Sequence, residues 1–462
     1  MTAHGSESVA IRGGTVVDPS QGLNARRDVV IENGRIARLT EPGKGEARTV
    51  IDASGLVVAP GFVDIHVHLR YPGGDASETV ETGTASAAAG GFTSICCMPN
   101  TSPVADSTLV VSAIIDRAAS PRSTGVRVHP IAAVTKGQTG TELVDFAALA
   151  SAGAVAFSDD GRPVGNAAVM RRAMECVRDL GSVILDHCED LSLTGDGVMH
   201  EGPAALRLGL KGIPRLSEAS NVARDCALAL ATGARLHICH VSNVESVEVI
   251  RWYKSRGAPV TAEVSPHHLT LTDELVATGT AGRGPFDTHA KMKPPLCEES
   301  DRRALIAALE DGTLDCIATD HAPHSPASKA AGFDEAPFGI IGMENAFPVL
   351  HTEFVATGRW TLEFLVDRLT ARAARILGLP AGTLSVGAAA DVALLDPASQ
   401  WTVDAERIVS RSRNCPWVGQ EMKGAVAGTL VAGRVVWSSP LLDGARRGLP
   451  VGDARTGVVE NR

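Results

Sequence analysis

Two histidines separated by one residue, His66 and His68, have the spacing needed to bind one metal ion together. They follow the apolar segment Val63-Asp64-Ile65, which is typical of a buried strand. Alternate residues of a strand point to the same face, so both imidazoles would face the same ion. On its own, the pair is equally compatible with two unrelated histidines on a surface strand.

Four more histidine and aspartate side chains follow apolar segments elsewhere in the chain: Asp160, His187, His240 and Asp320. Imidazole and carboxylate ligands without thiolates are typical of zinc, or of a neighbouring first-row transition metal, with positions left open for water. One shared metal centre is therefore a better explanation than six unrelated polar residues, provided that the fold brings these segments together.

Asp159 and Asp160 are adjacent, and one carboxylate is enough for such a centre. A carboxylate that follows a strand often caps the next helix instead of binding metal. Gly161, directly after Asp160, would allow the backbone to turn sharply at that point. We assign the metal-binding role to Asp160 and a supporting or capping role to Asp159, a choice that depends mostly on the family resemblance described below.

The elements that would position these residues alternate along the middle of the chain. Eight short apolar or β-branched segments are expected to form strands: 63–67, 92–98, 126–131, 154–157, 182–185, 235–239, 259–262 and 315–318. Segments with helical spacing lie between them, among them 168–179, 218–231 and 301–310. Eight β/α alternations favour an α/β fold with a closed (β/α)8 TIM barrel, in which the carboxyl ends of the strands converge on the active site. Periodicity alone leaves a doubly wound open sheet as the alternative.

Both ends of the chain have the alternating pattern of short strands. The Asn33-Gly34 pair within residues 28–37 predicts a tight hairpin turn, and a similar strand pattern returns at 390–396 and 428–437. We therefore predict a small β-sandwich domain assembled from both termini, residues 1–59 and 381–462, beside a hydrolase barrel of residues 60–380. Two separate end domains would give the same local pattern.

The overall composition is that of a soluble globular protein, with 44% hydrophobic and 21% charged residues. The net charge of −10 argues against nucleic acid, whose binding proteins carry a basic face. Nine cysteines without a C-x-x-C pair suit buried thiols in a reducing cytosol. The first residues lack a signal-peptide pattern, and no apolar run reaches the roughly 18 residues that span a membrane. We expect a cytoplasmic protein that binds neither membranes nor nucleic acid.

Several polar residues near the expected strand ends could bind a substrate rather than a metal. Arg70, two residues beyond His68, could bind a substrate carboxylate through two hydrogen bonds, although a surface arginine would look the same. Asn100 could offer its amide to the same substrate or simply form a turn. His324 could reach the substrate, whereas we expect His321 to be structural.

These residues stand in segments that resemble the amidohydrolase superfamily and, within it, the family of bacterial type I dihydroorotases. The similar segments cover nearly the whole chain: PGFVDIHVHLR at 60–70, MPNT at 98–101, FSDDG at 157–161, HCED at 187–190, HVS at 240–242, TAEVSPHHL at 261–269, ATDHAPH at 318–324 and APFGI at 336–340. The H-x-H pair alone marks only the superfamily, whereas the combination of segments is specific to the family.

The resemblance implies two zinc ions per subunit and a role for each predicted ligand. His66, His68 and Asp320 would hold one zinc ion, His187 and His240 would hold the other, and Asp160 would bridge the two. Asp320 would also transfer protons during the reaction. The substrate contacts implied by the resemblance come from His68, Arg70, Asn100, Lys293, His324, Phe338 and Gly339.

The activity that this resemblance implies is the reversible hydrolysis of (S)-dihydroorotate to N-carbamoyl-L-aspartate, a step in the synthesis of pyrimidines (UMP). Its substrate would be a small molecule. The resemblance also implies a homodimer and an association with aspartate transcarbamoylase.

Two alternatives and two departures bear on the exact activity. Related allantoinases, hydantoinases and dihydropyrimidinases bridge their metals with a carboxylated lysine, where this chain has Asp160. A non-catalytic partner of aspartate transcarbamoylase is the other alternative, although such proteins have lost metal ligands and this chain keeps all six. Tyr71 replaces the usual glutamate after the H-x-H-L-R segment, and Lys293 replaces the usual asparagine of an N-P-P-L-R segment, which reads KPPLC here.

Overall fold

The computed structural model describes residues 8–440 and 448–449. The described part begins with seven short strands: β1 (Ser8–Arg12), β2 (Thr15–Asp18), β3 (Leu23–Arg26), β4 (Asp28–Glu32), β5 (Arg35–Thr40), β6 (Thr49–Asp52) and β7 (Val57–Pro60). The predicted hairpin turn joins β4 to β5. Asn33 and Gly34 both have positive φ angles, 52° and 74°, which a two-residue turn of this hand requires.

Ten strands follow in the middle of the chain: β8 (Phe62–Val67), β9 (Phe92–Cys97), β10 (Arg127–Ala132), β11 (Ala156–Phe157), β12 (Val183–Asp186), β13 (Met199–His200), β14 (Gly212–Ile213), β15 (Arg235–Ile238), β16 (Val260–Val264) and β17 (Cys316–Ile317). Eight of them form one parallel sheet in the order β17-β16-β15-β12-β11-β10-β9-β8, and β13 pairs with β14 separately. These eight are the strands predicted from the sequence.

The sheet closes on itself between β8 and the segment after β17. Val67 pairs in parallel with His321, and the His68 N–H donates to the carbonyl oxygen of His321 at 2.9 Å. The fold is therefore a TIM barrel, and the open doubly wound sheet is excluded. Every residue of β8 and β9 is buried, as expected for strands covered on both faces.

Fifteen α-helices lie among the described residues: α1 (Val80–Ala89), α2 (Thr108–Ala118), α3 (Phe146–Ser151), α4 (Ala167–Asp179), α5 (Leu191–Thr194), α6 (Pro203–Leu208), α7 (Leu216–Thr232), α8 (Val244–Ser255), α9 (Pro266–Thr270), α10 (Glu274–Thr278), α11 (Glu299–Asp311), α12 (Pro326–Lys329), α13 (Ala346–Leu350), α14 (Leu362–Leu369) and α15 (Ala371–Leu377). The helices predicted over residues 168–179, 218–231 and 301–310 correspond to α4, α7 and α11. Asn166 caps the N-terminus of α4, because its side-chain oxygen accepts hydrogen bonds from the N–H groups of Ala168 and Val169. An apolar stripe that includes Met170 and Val177 turns this helix towards the barrel.

The last strands among the described residues are β18 (Val392–Thr402), β19 (Glu421–Val431) and β20 (Arg434–Ser438). These strands join the first ones in a six-stranded sheet of order β20-β19-β18-β7-β2-β3, and β5-β4-β1-β6 form a four-stranded sheet. The two sheets share a core in which Ile11 and Ile31 from one end of the chain contact Leu384 and Leu394 from the other. The prediction of one small sheet domain built from both termini is confirmed, and separate end domains are excluded.

The predicted C-terminal part, residues 381–462, includes 441–447 and 450–462, which lie outside the described residues. All nine cysteines are free thiols, and eight of them are buried, as the spacing predicts. Within the described part of the chain, we find no helix with the length and apolarity to cross a membrane.

Candidate metal centre and active site

The six predicted metal ligands lie together at the carboxyl end of the barrel. Each is at the end of a strand or within three residues of it, and each is at most 5% exposed: His66, His68, Asp160, His187, His240 and Asp320. Parallel strands of a barrel deliver their ends to one face, so residues far apart in sequence meet there. The convergence expected from the spacing of the segments is present.

Asp160 lies at the centre of this cluster. Its Oδ1 atom is 3.4 Å from Nε2 of His66, 3.5 Å from Nδ1 of His187 and 3.7 Å from Nε2 of His240. Its Oδ2 atom is 3.5 Å from Nε2 of His68. One carboxylate thus reaches all four imidazoles, which is the geometry of a bridging ligand.

Asp320 occupies the edge of the cluster next to the H-x-H pair. Its Oδ1 atom is 3.1 Å from Nε2 of His68 and 3.5 Å from Nε2 of His66. Asp320 therefore faces His66 and His68, whereas His187 lies on the other side of Asp160.

The donor set fits metal ions. The ligand atoms of His66, His68 and Asp160 lie within 4.8 Å of one another, and so do those of Asp160, His187 and His240, so two groups share one carboxylate. Nε2 of His66 and Oδ1 of Asp160 are buried without a hydrogen-bond partner among the described residues. Buried polar atoms nearly always have a hydrogen-bond partner, so two such atoms that face each other without one are consistent with a cation bound between them.

The carboxylates of the cluster favour positive charge on two of its imidazoles, His187 and His66. Burial alone would lower the pKa of His187, but hydrogen bonds and charge from Asp160 and Glu189 raise it to about 10. Burial also opposes a charge on His66, yet the neighbouring carboxylates, Asp320 foremost, hold its pKa well above the ordinary value. The same carboxylates would stabilise a divalent cation at this point.

Two glutamates that the sequence interpretation missed support the cluster from behind. Glu263 Oε1 is 2.7 Å from Nδ1 of His66, and Glu189 Oε2 is 3.1 Å from Nε2 of His187. A histidine that binds metal commonly donates its other ring N–H to a carboxylate in this way. The available signal was a glutamate inside the apolar strand β16, since a buried carboxylate needs strong partners.

A second group of metal-type residues, His237, Glu263 and Cys316, lies deeper in the barrel. Both oxygens of Glu263 already accept hydrogen bonds there, from His66 and from Nε2 of His237 at 3.0 Å. This group is therefore complete as a hydrogen-bond network without an ion.

Asp159, the neighbour of the central carboxylate, has structural partners. It accepts hydrogen bonds from the N–H groups of Val134 and Thr135, at 2.8 and 3.1 Å, and from the Thr135 hydroxyl. These contacts tie the end of β11 to the segment after β10. Asp159 thus has the supporting role, while Asn166 caps the following helix.

Three of the predicted substrate contacts surround the Asp320 side of the cluster. Asn100 accepts at Oδ1 from Nδ1 of His68 at 2.9 Å and donates through Nδ2 to Asp160 at 3.3 Å. Arg70 donates from Nε to the carbonyl oxygen of Pro323 at 3.1 Å, and its Nη2 lies 3.3 Å from Nε2 of His324. Asn100 therefore orients two predicted ligands in addition to any contact with substrate.

The predicted contacts Phe338 and Gly339 lie beside His324. Nε2 of His324 donates to the carbonyl oxygen of Phe338 at 2.7 Å. A side chain at Gly339 would come 2.7 Å from Cδ2 of His324, so only glycine fits against this ring. The backbone thereby closes around His324 at the edge of the site.

Lys293 lies between Glu189, which contacts His187, and the ring of Phe338. Its Nζ is 2.8 Å from Oε1 of Glu189 and 5.2 Å from the centre of the Phe338 ring. The ammonium group thus pairs with the carboxylate that orients His187, and it also covers the aromatic ring predicted to contact the substrate.

His321 is structural, as expected. It joins β8 to the segment after β17 through its backbone, and its Nε2 is 3.3 Å from Oε2 of the buried Glu78.

Three residues of the site have backbone conformations that side chains rarely adopt. The φ angles are 56° for Arg70, 33° for His240 and 45° for Asp320. A positive φ costs energy for residues other than glycine, and such strain is concentrated at functional sites, where the surrounding structure enforces it. The strain at His240 and Asp320 aims these side chains at the cluster.

The loop of residues 325–339 is held by a buried lysine. Lys329 is 4% exposed, and its Nζ donates to the carbonyl oxygens of Thr288 and Pro337 at 2.7 and 2.9 Å. Burial, assisted by the charge of Lys291, lowers the pKa of Lys329 from 10.5 to about 7. The loop carries Phe338, so this lysine holds one wall of the site.

Replacing Lys329 by Met should remove a pH dependence of stability. Between pH 7 and about 10.5 the unfolded chain keeps a proton on Lys329 that the folded protein releases, so this group makes the folded state more stable as pH rises. The free energy of unfolding of the wild type, relative to Lys329→Met, should therefore rise across that window in denaturant titrations. The exposed Lys211→Met is the control, and a difference that stays flat with pH would contradict the assignment.

Comparison with known proteins agrees with this fold and site. Residues 190–437 match the family described as "Amidohydrolase family", and residues 55–246 match the family described as "Dihydro-orotase-like". The chain is 51% identical over 433 residues to a dihydroorotase of Anaeromyxobacter dehalogenans, which covers 93% of this chain and 98% of the relative. It is 50% identical over 426 residues to a dihydroorotase of Pelotomaculum thermopropionicum, covering 92% and 97%.

Solved structures with the same fold include the L-hydantoinase (dihydropyrimidinase) from Arthrobacter aurescens, at a TM-score of 0.82 and 27% identity, covering 93% of this chain and 95% of that one. The barrel, the sheets from both termini and the buried histidine–aspartate cluster define an amidohydrolase, a hydrolase of cyclic amides. Within that class, the chain belongs to the dihydroorotase family.

Proposed function

We propose that the protein catalyses the reversible hydrolysis of the ring amide of (S)-dihydroorotate to N-carbamoyl-L-aspartate, with two zinc ions. The observation that carries this proposal is the arrangement of two ligand groups that share Asp160, with Arg70 close enough to interact electrostatically with Asp160 and Asp320. Among the described residues, Arg70 donates hydrogen bonds to no carboxylate, although the charges of Asp320, Asp160 and Glu78 act on it, so we propose that its guanidinium can bind a substrate carboxylate. Dihydroorotate carries an exocyclic carboxylate.

The residues present fit a pair of zinc ions. His66, His68 and Asp320 would hold one ion, His187 and His240 the other, and Asp160 both. When bound, the ions supply Lewis acidity that lowers the pKa of the attacking water and polarises the ring carbonyl.

Asp320 is proposed to move the proton. Its carboxylate, at the edge of the cluster, accepts a proton from the attacking water and delivers it to the ring nitrogen as the amide bond breaks. The carbonyl carbon gains the water oxygen, the nitrogen leaves as part of the ureido group, and Asp320 ends in the ionised form in which it began. Burial opposes that charge, but the neighbouring imidazoles, His66 foremost, hold the pKa of Asp320 below its ordinary value.

Arg70, Asn100 and His324 are proposed to hold the substrate carboxylate. The substrate ring is proposed to contact Phe338, Gly339 and His68. Their contribution is orientation, because a ring held against the cluster needs less motion to reach the transition state. Lys293, whose ammonium pairs with Glu189 and lies 5.2 Å from the centre of the Phe338 ring, is proposed to contact the substrate from the same side as Phe338.

A hydrolase of hydantoins or dihydropyrimidines is the second candidate, favoured by the structural similarity to the L-hydantoinase. Two considerations weigh against it: the central position of the cluster carries Asp160 instead of a lysine, and the uncharged rings of those substrates would offer Arg70 no carboxylate to bind. A non-catalytic role is disfavoured because all six ligand positions are intact.

From the family resemblance, we also expect a cytoplasmic enzyme of UMP synthesis that forms a homodimer and associates with aspartate transcarbamoylase. The experiment that tests the central proposal is ring opening by the purified, zinc-loaded protein, with L-dihydroorotate, dihydrouracil and hydantoin compared side by side. Chelator-sensitive turnover of dihydroorotate alone is the expected result. Turnover of the uncharged rings alone would transfer the function to the second candidate, with Lys293 and Tyr71 the first residues to exchange.

A further inference from the structure

Strand β16 supplies none of the predicted ligands or substrate contacts, yet its one acidic residue lies directly behind the metal centre. Glu263 is 1% exposed and accepts three hydrogen bonds. They come from Nδ1 of His66 at 2.7 Å, from Nε2 of His237 at 3.0 Å and from the backbone N–H of His240 at 3.3 Å. A buried carboxylate is costly unless it is satisfied in this way, so these hydrogen bonds are what allows Glu263 to stay ionised at this position.

The contact with His66 determines which ring nitrogen carries the proton. An ionised carboxylate can only accept, so Nδ1 of His66 must be the protonated nitrogen. Nε2 is then the nitrogen left to bind metal once it has lost its proton, and it lies 3.4 Å from Asp160 and 3.5 Å from Asp320. A neutral imidazole binds metal only through an unprotonated nitrogen, so Glu263 prepares His66 as a ligand.

The contact with His240 acts on the backbone. His240 has a φ angle of 33°, a conformation that needs support from its surroundings. The hydrogen bond from its N–H to Glu263 provides such support. It fixes the backbone of His240, which lies two residues after the end of β15. One carboxylate thereby holds a residue from each of the two proposed zinc sites.

Glu263 is itself oriented by a further layer. Nε2 of His237 donates to Glu263, and Nδ1 of His237 is 2.9 Å from the hydroxyl of Thr261, which can donate to it. Both ring nitrogens of His237 are thus used, and the imidazole is 0% exposed. The chain Thr261–His237–Glu263 fixes the carboxylate from the side away from the metal centre.

We propose that Glu263 is a positioning residue that fixes the tautomer of His66 and the backbone of His240, and thereby sets the affinity of the centre for zinc. His237 positions Glu263. This inference rests on the proposed metal centre and adds to it a residue that does not touch the ions.

The test is the zinc affinity of Glu263→Gln, measured by competition with a chromophoric chelator and by the absorbance bands of the cobalt(II)-substituted protein. The amide offers one acceptor where the carboxylate offers two, so either His66 or His237 must face an N–H group. Outer partners of metal-bound histidines typically contribute about 10- to 100-fold to affinity, and a loss of that size is expected, with altered cobalt bands. His237→Gln should shift affinity in the same direction by a smaller factor.

Glu218→Gln is the matched control, because Glu218 is another buried glutamate, bonded to the N–H and hydroxyl of Ser242. Its zinc affinity should equal that of the wild type. Wild-type affinity and cobalt bands in folded Glu263→Gln would overturn the inference. Should that variant fail to fold, His237→Gln decides by the same criterion. A wild-type protein that binds no zinc would instead contradict the proposed metal centre, so the two failures are distinguishable.

Discussion

Replacement of Asp320 by Asn is expected to lower kcat for dihydroorotate by at least about 10³-fold, because the amide can neither accept the proton of the water nor return it to the leaving nitrogen. The same change removes a charge that lies 3.1 Å from Nε2 of His68. The fold should survive, since asparagine has nearly the shape of aspartate. Steady-state rates of ring opening and of ring closure should fall together, because both directions use the same proton carrier.

Asp159→Asn is the control for this experiment. Asp159 is also buried and acidic, but its contacts are with Val134 and Thr135, and an amide oxygen can still accept from their N–H groups. Its turnover should stay close to that of the wild type. Zinc content and circular dichroism should be measured for both variants, and near-normal turnover in a folded, zinc-loaded Asp320→Asn protein would reject Asp320 as the proton carrier.

Replacement of Arg70 by Met should raise KM for dihydroorotate and lower kcat/KM by about 30- to 1000-fold, the effect of truncating one partner of a buried, hydrogen-bonded charge pair. Methionine keeps much of the apolar length of the side chain and removes only the guanidinium. The affinity for zinc should be unchanged, because Arg70 is not among the proposed ligands.

Dihydrouracil, which lacks the carboxylate, is the internal control for this variant. Its slow or absent turnover should be unaffected by Arg70→Met, so the preference between the two substrates should shrink. An unchanged kcat/KM for dihydroorotate would show that the carboxylate binds elsewhere, and Lys293 would be the next residue to replace.

The barrel and its strands could be predicted from the sequence because their signals are local. Buried parallel strands are short apolar segments, and each strand that contributes to the site carries or is closely followed by a polar residue such as His66 or Asp320. The Asn33-Gly34 turn was predictable for the same reason, since few residue pairs adopt two positive φ angles. The sequence did not predict which strands from the two ends of the chain share a sheet, because the pairing of β7 with β18 joins residues more than 300 positions apart.

The metal cluster was predictable as a set of residues, whereas its supporting layer was not. Glu263 and Glu189 are single glutamates whose importance depends on which imidazole lies beside them in space. The positive φ angles of His240 and Asp320 were not predicted either, because histidine and aspartate adopt this conformation at only a minority of their positions. The position of Lys293 against Glu189 likewise follows from contact between segments about 100 residues apart.

The most direct test of the proposed function is a zinc titration of the metal-free protein, followed by the rate of L-dihydroorotate ring opening. We expect no turnover without metal, a rise as zinc is added and a plateau at two zinc ions per chain. Full turnover in the metal-free protein, or a zinc-loaded protein that opens dihydrouracil and leaves dihydroorotate intact, would contradict the proposed function.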